Sequence, residues 1–218
     1  MSTSRAPVVI LLSGRGSNLQ AIIGQMTAGQ LSIDIRAVIG NQTEAEGLKL
    51  ARAAGIPTQV VESRNYTDRD QFDAALMQAI DVHAPRLVIL AGFMRILGAD
   101  FIQHYAMRLI NIHPSLLPAF KGLNTHARAL DAKVKQHGAS VHFVTPDVDG
   151  GPIILQSALQ VHPGDTAETL AQRVLQEEHR IYPLAIQWFI AGRLSLDDGN
   201  VLLDGERRPE QGLPMALA

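Results

Sequence analysis

The stretch PVVILLSGRGSNLQAI, residues 7–22, decides the class of fold. Its first half is an unbroken apolar run, rich in β-branched residues, which reads as a strand buried on both faces. A glycine-rich hexad, SGRGSN (residues 13–18), follows at once. Beyond it Leu19, Ile22, Ile23 and Met26 recur at helical spacing until Gly29 stops the pattern. A strand, a glycine loop and a helix in this order form the opening unit of an α/β sheet.

The same alternation continues downstream. SIDIRAVIGN (32–41), TQVVES (58–63), RLVILAG (86–92) and RLINIH (108–113) read as further strands. TEAEGLKLARAAGIP (43–57) reads as a helix ended by Gly55 and Pro57. TDRDQFDAALMQAIDVHAP (67–85) is a second, with Thr67 expected as N-cap and Phe72, Leu76 and Ile80 on one face. Strand and helix at this pitch predict a Rossmann-like, doubly wound, mostly parallel sheet with helices on both faces. After Pro118 the rhythm changes. HARALDAKVKQ (126–136) looks helical, and ASVHFVT (139–145) and PIILQSALQV (152–161) form strands joined by a short loop, so they pair antiparallel. A long helix starts at Asp165, with Glu168 completing a capping box, and Pro183 is expected to break or kink it. RLSLDDGNVLLDG (193–205) is a hairpin turning at Asp198, Gly199 and Asn200, and the last dozen residues read as a loose tail. The chain therefore reads as a single domain over 1–218, its core about 8–192 and a hairpin and tail over 193–218.

The totals exclude several functions. Of 218 residues, 46% are hydrophobic and 18% charged, which suits a folded core. A net charge of −2 gives no nucleic-acid footprint. The absence of cysteine removes disulfides, thiolate metal sites and a Cys nucleophile. No apolar run is long enough to cross a bilayer, and MSTSRAP is no signal peptide, so the expected setting is the cytoplasm without a membrane partner.

Three motifs carry chemistry. SGRGSN lies between strand and helix, where free backbone N–H groups attract anions; the alternative is a plain connecting turn. Leu19 stands where a dinucleotide site needs a small residue, Gly40 and Asn41 end strand two without an acid, and no Lys-Ser/Thr pair follows. A monophosphate therefore fits better than NAD or ATP. The second motif is LINIHPSLLP (109–118), which puts Asn111 and His113 on one strand face just before Pro114. A lone histidine there would more often be a buried structural one; its pairing with Asn on the rim of the glycine loop favours a site. The third is TPDVDGGPI (145–153), with Asp147 and Asp149. It lacks the acidic residue of a calcium loop, Ala158 standing there instead. It is either an ordinary turn or a carboxylate brought to His113. None of the eight histidines forms the helical pair of a zinc hydrolase, and SGRGSN lacks the serine-hydrolase elbow, so neither metal nor acyl-serine chemistry is expected.

SGRGSNLQAI, LAGFMRIL, INIHPSLLP, SVHFVTPDVDGGPII and EEHRIYP, in this order, resemble the glycinamide ribonucleotide formyltransferases, folate-dependent enzymes of purine synthesis. The resemblance runs from about Val8 to beyond Trp188 and implies a single formyltransferase domain. INIHPSLLP alone marks the wider folate-dependent formyltransferase group; the glycine loop and the compact length narrow it. The resemblance implies formyl transfer from 10-formyltetrahydrofolate, as cosubstrate, to the amine of glycinamide ribonucleotide, with no metal. It implies catalytic roles for Asn111, His113 and Asp149, with Asp149 supplying the charge that keeps His113 protonated. Gly16, Ser17, Asn18 and Glu178 would bind the ribonucleotide. Met94, Arg95, Ile96, Leu97, Asn111, Thr145 and Asp149 would bind the folate, with Arg69 either joining them or lying solvated on its helix. Some relatives have His where Asn124 stands and a polar residue at Leu175, so those two contacts are not expected here. Both small molecules are the expected partners, in a monomer or homodimer. The rivals are formyltetrahydrofolate hydrolase, with water as acceptor, and a non-catalytic module binding a phosphorylated metabolite.

Overall fold

The computed structural model describes residues 5–207. The elements run β1 (Ala6–Leu12), α1 (Ser17–Thr27), β2 (Ile33–Gly40), α2 (Glu46–Ala53), β3 (Thr58–Val60), α3 (Arg69–Asp81), β4 (Leu87–Leu90), α4 (Ala99–His104) and β5 (Leu109–His113). They continue with α5 (Thr125–Asp131), β6 (Gln136–Phe143), β7 (Ile153–Gln160), α6 (Ala167–Ile190), β8 (Leu194–Asp197), β9 (Asn200–Leu203) and β10 (Glu206–Arg207). Strand order in the seven-stranded sheet is β3-β2-β1-β4-β5-β6-β7. The expected doubly wound, mostly parallel α/β sheet is the fold observed.

Two compact units divide at β5, one covering 1–111 and the other 112–218. In the first, β1 pairs parallel with both β2 and β4, and β4 with β5. Val8, Val9, Ile10, Leu11 and Leu12 are wholly buried, which is why the opening run has no polar alternation. The chain winds from β1 outward to β3, then returns to β1's other side with β4. The carboxyl ends of β1 and β4 thus flank the switch point, where ligands of such sheets bind. In the second unit β6 and β7 pair antiparallel, as read, and α6 packs on both. The helix face Phe72, Leu76 and Ile80 is buried as expected.

Several local expectations are corrected. Asp68, not Thr67, caps α3, accepting the Gln71 N–H at 2.8 Å. The capping box of α6 is Thr166 with Thr169, not Asp165 with Glu168; Asp165 instead accepts the His162 N–H. The helix read over 126–136 ends at Asp131, because Lys133 takes a left-handed conformation and Gln136 already begins β6. Of the break or kink expected at Pro183, the break does not occur: α6 continues to Ile190. Proline in a helix costs about 3 kcal/mol, and here the residues around it, Tyr182, Ala185 and Ile186, are buried, so packing outweighs that cost. The short helix α4 was not anticipated: its six residues are too few to show a period. The hairpin of β8 and β9 is present, with β10 as a third strand, while the tail expected beyond it lies outside the described residues.

Buried on β6, His137 meets His126 of α5, ring nitrogen to ring nitrogen at 3.2 Å. One nitrogen must donate and the other accept, so the contact does not suit two imidazolium ions. Burial first, then the neighbouring His126 and His113, push His137 down to about 4. Burial also lowers His126. An imidazole held below its unfolded value takes up its proton more readily when unfolded, so this unit should lose stability as pH falls from about 6.5 towards 4. At about 1.4 kcal/mol per pH unit, His137 accounts for roughly 2–3 kcal/mol across that window. Denaturant titrations of wild type and His137→Gln should diverge there, the wild type falling more steeply. Parallel curves would show that His137 does not titrate on unfolding.

Candidate functional site

His113 is the last residue of β5, and its ring is buried. Its Nε2 lies 3.0 Å from the Phe120 carbonyl oxygen. A carbonyl only accepts, so Nε2 carries the proton and donates it there. The other nitrogen, Nδ1, faces the Asp149 carboxylate, 3.3 Å from Oδ2. That same Oδ2 accepts the Gly122 N–H at 2.9 Å. The expected His113–Asp149 pairing is present, and both ring nitrogens point at acceptors. Asn111, two residues earlier on β5, is half-buried and sits in register with Leu90, the last residue of β4. It therefore stands at the carboxyl rim where the sequence put it.

The carboxylate reaches His113 because the loop after β6 folds tightly. Asp149 is left-handed at φ 50°, a conformation aspartate tolerates better than most residues. A Cβ on Gly151 would come within 1.9 Å of the Phe143 carbonyl, and one on Gly150 equally close to the Asp147 carboxylate. Close approach to backbone thus dictates the second glycine of DVDGG, Gly151, whereas at Gly150 the obstacle is the exposed Asp147 side chain. Lys121 pairs with Asp147 at 2.7 Å, and Thr145 donates to the Asp147 carbonyl at 3.3 Å. Asp147 is accordingly a surface partner of Lys121, and Asp149 is the carboxylate at the histidine.

Sequence reasoning missed three groups here. The Phe120 carbonyl and Gly122 N–H are backbone atoms and leave no side-chain signal. His142 is the third: its Nε2 lies 3.7 Å from Asp149 Oδ1 while Nδ1 donates to the Phe143 carbonyl at 2.8 Å. Burial lowers His142 below the ordinary histidine value, against the pull of the Asp149 carboxylate. Its only signal was its place in SVHF, seven residues before Asp149.

In the first unit, Gly16 is the N-cap of α1 and is left-handed at φ 79°. A Cβ there would lie 2.6 Å from the Gly47 Cα, so packing against α2 already demands glycine. The start of α1 has no side-chain cap and no acidic residue in its first turn, which leaves Ser17 and Asn18 at an electropositive helix end. Met94 and Ile96 are 69% and 66% exposed, whereas Leu97 is buried. Arg95 lays its guanidinium 5.6 Å from the centre of the Phe72 ring. Arg69, first residue of α3, is exposed, with Nε 3.4 Å from where a Gly98 Cβ would stand, so it borders this segment and is also solvated.

The remaining positions belong to the second unit. Glu178 is buried on α6, and Leu175 is half-buried one turn earlier. Asn124 stands at the N-cap position of α5 in a left-handed conformation at φ 57°, without a side-chain capping bond. Asparagine suits that backbone, which gives this position a structural role independent of any ligand.

Comparison with known proteins gives this geometry a family. The family model described as formyl transferase matches residues 6–186. Phosphoribosylglycinamide formyltransferase of Escherichia coli is 49% identical over 205 residues, covering 94% of this chain and 97% of that protein. The Haemophilus influenzae protein of the same name is 42% identical over the same shares. A solved phosphoribosylglycinamide formyltransferase from Coxiella burnetii, in complex with CHES, is 51% identical, with a TM-score of 0.91 over 95% of this chain and 97% of that one. With the matched model spanning most of its length and the pairing of His113 with Asp149 in place, this chain belongs to the formyl transferase family.

Proposed function

We propose that this protein transfers a formyl group from 10-formyltetrahydrofolate to the amine of glycinamide ribonucleotide, a step of purine biosynthesis, with the whole chain acting as one formyltransferase. The observation that carries the reading is His113 at the end of β5, with Nδ1 on the Asp149 carboxylate and Nε2 on a carbonyl. A metabolite-binding module would have no use for that arrangement. Similarity to the named phosphoribosylglycinamide formyltransferases over nearly the full chain supports the choice of acceptor.

The amine nitrogen attacks the formyl carbon, forming a C–N bond and moving an electron pair onto the formyl oxygen. The Asn111 amide donates to that oxyanion, and His113 supplies positive charge beside it. Collapse breaks the bond from carbon to the folate nitrogen, which leaves with a proton. The amine gives up one proton in return, so the step balances with no covalent enzyme intermediate. Asp149, partly exposed, holds the His113 charge and passes the proton through water. The contact at 3.3 Å is loose enough for Nδ1 to share its proton with an incoming oxyanion.

The start of α1, with Gly16, Ser17 and Asn18, takes the ribonucleotide phosphate, and Glu178 takes its ribose. Met94, Arg95, Ile96 and Leu97 take the pteridine, as do Thr145 and Asp149, and Arg69, which borders that segment, is a further folate contact. Among the described residues no helix is long and apolar enough to cross a membrane. The proposed setting is the cytoplasm, with the two small molecules as partners of a monomer or homodimer and no metal required.

Tetrahydrofolate release should depend on glycinamide ribonucleotide; equal release without it would assign the chain to formyltetrahydrofolate hydrolysis. Asn111→Ala should cut turnover roughly a hundredfold or more, as loss of an oxyanion donor does. Wild-type turnover would remove Asn111 from the mechanism. Asp149→Asn should lower kcat by a much larger factor than it raises the folate KM and should flatten the pH–rate profile. An unchanged profile would separate Asp149 from proton transfer.

A further inference from the structure

Two polar residues outside the proposed machinery hold opposite ends of one segment. Ser13 opens the glycine loop, yet its hydroxyl is not turned to the start of α1. It is buried and accepts the Met94 N–H at 2.7 Å. Its own N–H donates to the Gly92 carbonyl at 3.0 Å, so Ser13 grips the chain leaving β4 twice. At the other end, Asp73 on α3 is 3% exposed and accepts the Gly98 N–H through Oδ2 at 2.6 Å. Its Oδ1 is buried and makes no hydrogen bond among the described residues. Burial raises the Asp73 carboxyl above the ordinary carboxylate value, against the pull of the Gly98 N–H, Arg69 and Arg95. A buried, half-satisfied acid is costly to keep. The α3 face needs only apolar residues for its packing, so helix formation does not account for it.

Between these two grips lie residues 94–97, with Met94 and Ile96 held out into solvent. Exposed apolar side chains on an untethered loop would collapse or wander. Here both ends of the backbone are tied to regular elements, the end of β1 and the first turns of α3. The segment leaves the carboxyl end of β4 beside that of β1, at the switch point of the sheet. A binding surface prepared in this way spares the ligand the entropy of ordering it.

We propose that Ser13 and Asp73 are positioning residues that prepare residues 94–97 to receive the pteridine of the formyl donor. The proposal rests on the assignment of that segment to folate. Ser13 also makes the glycine loop a mechanical neighbour of the folate segment, so one hexad serves both substrates: its last three residues through the ribonucleotide phosphate, its first through the folate.

The test combines amide hydrogen exchange with steady-state kinetics on the full chain. Ser13→Ala should speed exchange at the Met94 amide in the ligand-free protein. It should raise the folate KM about three- to tenfold, the worth of one hydrogen bond, while leaving ribonucleotide KM and kcat within about twofold. Asp73→Ala should do the same at the Gly98 amide with a larger folate effect, about tenfold or more, as its acceptor is a carboxyl. Ser13→Thr and Asp73→Asn, which keep an acceptor oxygen, should restore both readouts. An unchanged folate KM, or an equal rise in both KM values, would overturn the proposal. Ile96→Ser separates the two ways to fail. If it raises the folate KM while Ser13→Ala and Asp73→Ala do not, the segment binds folate and the anchors are irrelevant. If Ile96→Ser is also silent, the folate assignment falls, and the proposal with it.

Discussion

The bond from the Gly122 N–H to Asp149 Oδ2 is the constraint on which the proposed chemistry depends. A carboxylate beside a buried histidine is useful only if it cannot swing away. One backbone amide and a left-handed residue hold this one, and Gly151 allows the chain to pass close to the Phe143 carbonyl. The Phe120 carbonyl does the same for His113 from the opposite side by accepting the Nε2 proton. The histidine is therefore oriented before any substrate arrives. Preorganisation of this kind is what makes a few polar groups effective, since no reorganisation is needed as charge develops.

Behind Phe120 the chain is secured by a buried polar network. The Gln156 amide donates to the Leu117 carbonyl at 2.9 Å and to the Ser140 hydroxyl at 2.7 Å. Ser140 in turn donates to the Ser115 carbonyl, and the Ser115 hydroxyl to that of Ala119. Each of these side chains is buried and partnered, which gives the turn one conformation rather than several. The sequence shows these residues as unremarkable polar positions, yet they define where the Phe120 carbonyl stands.

Much of the fold could be read from the chain because its signals are local. Val8 to Leu12 is an unbroken apolar run because the strand is buried on both faces, and Phe72, Leu76 and Ile80 keep helical spacing because one face of α3 is buried. The misreadings came where another constraint outweighs local preference: buried surroundings keep α6 unbroken at Pro183, and left-handed Lys133 and the early start of β6 end α5 at Asp131. At the site, Asn111, His113 and Asp149 could be proposed because the roles fall on side chains with distinctive chemistry. Phe120 and Gly122 could not, because they act through backbone atoms. Ser13 was legible only as part of a glycine loop, and its partner Met94 is 81 residues away.

The central claim is that His113 works from one fixed orientation, Nε2–H on the Phe120 carbonyl and Nδ1 towards Asp149. Long-range proton–nitrogen NMR on the histidines reads this directly. In the folded, substrate-free protein His113 should show a proton retained on Nε2, and Asp149→Asn should perturb the Nδ1 resonance while leaving Nε2 protonated. A neutral His113 carrying its proton on Nδ1, with Nε2 bare, would contradict the account.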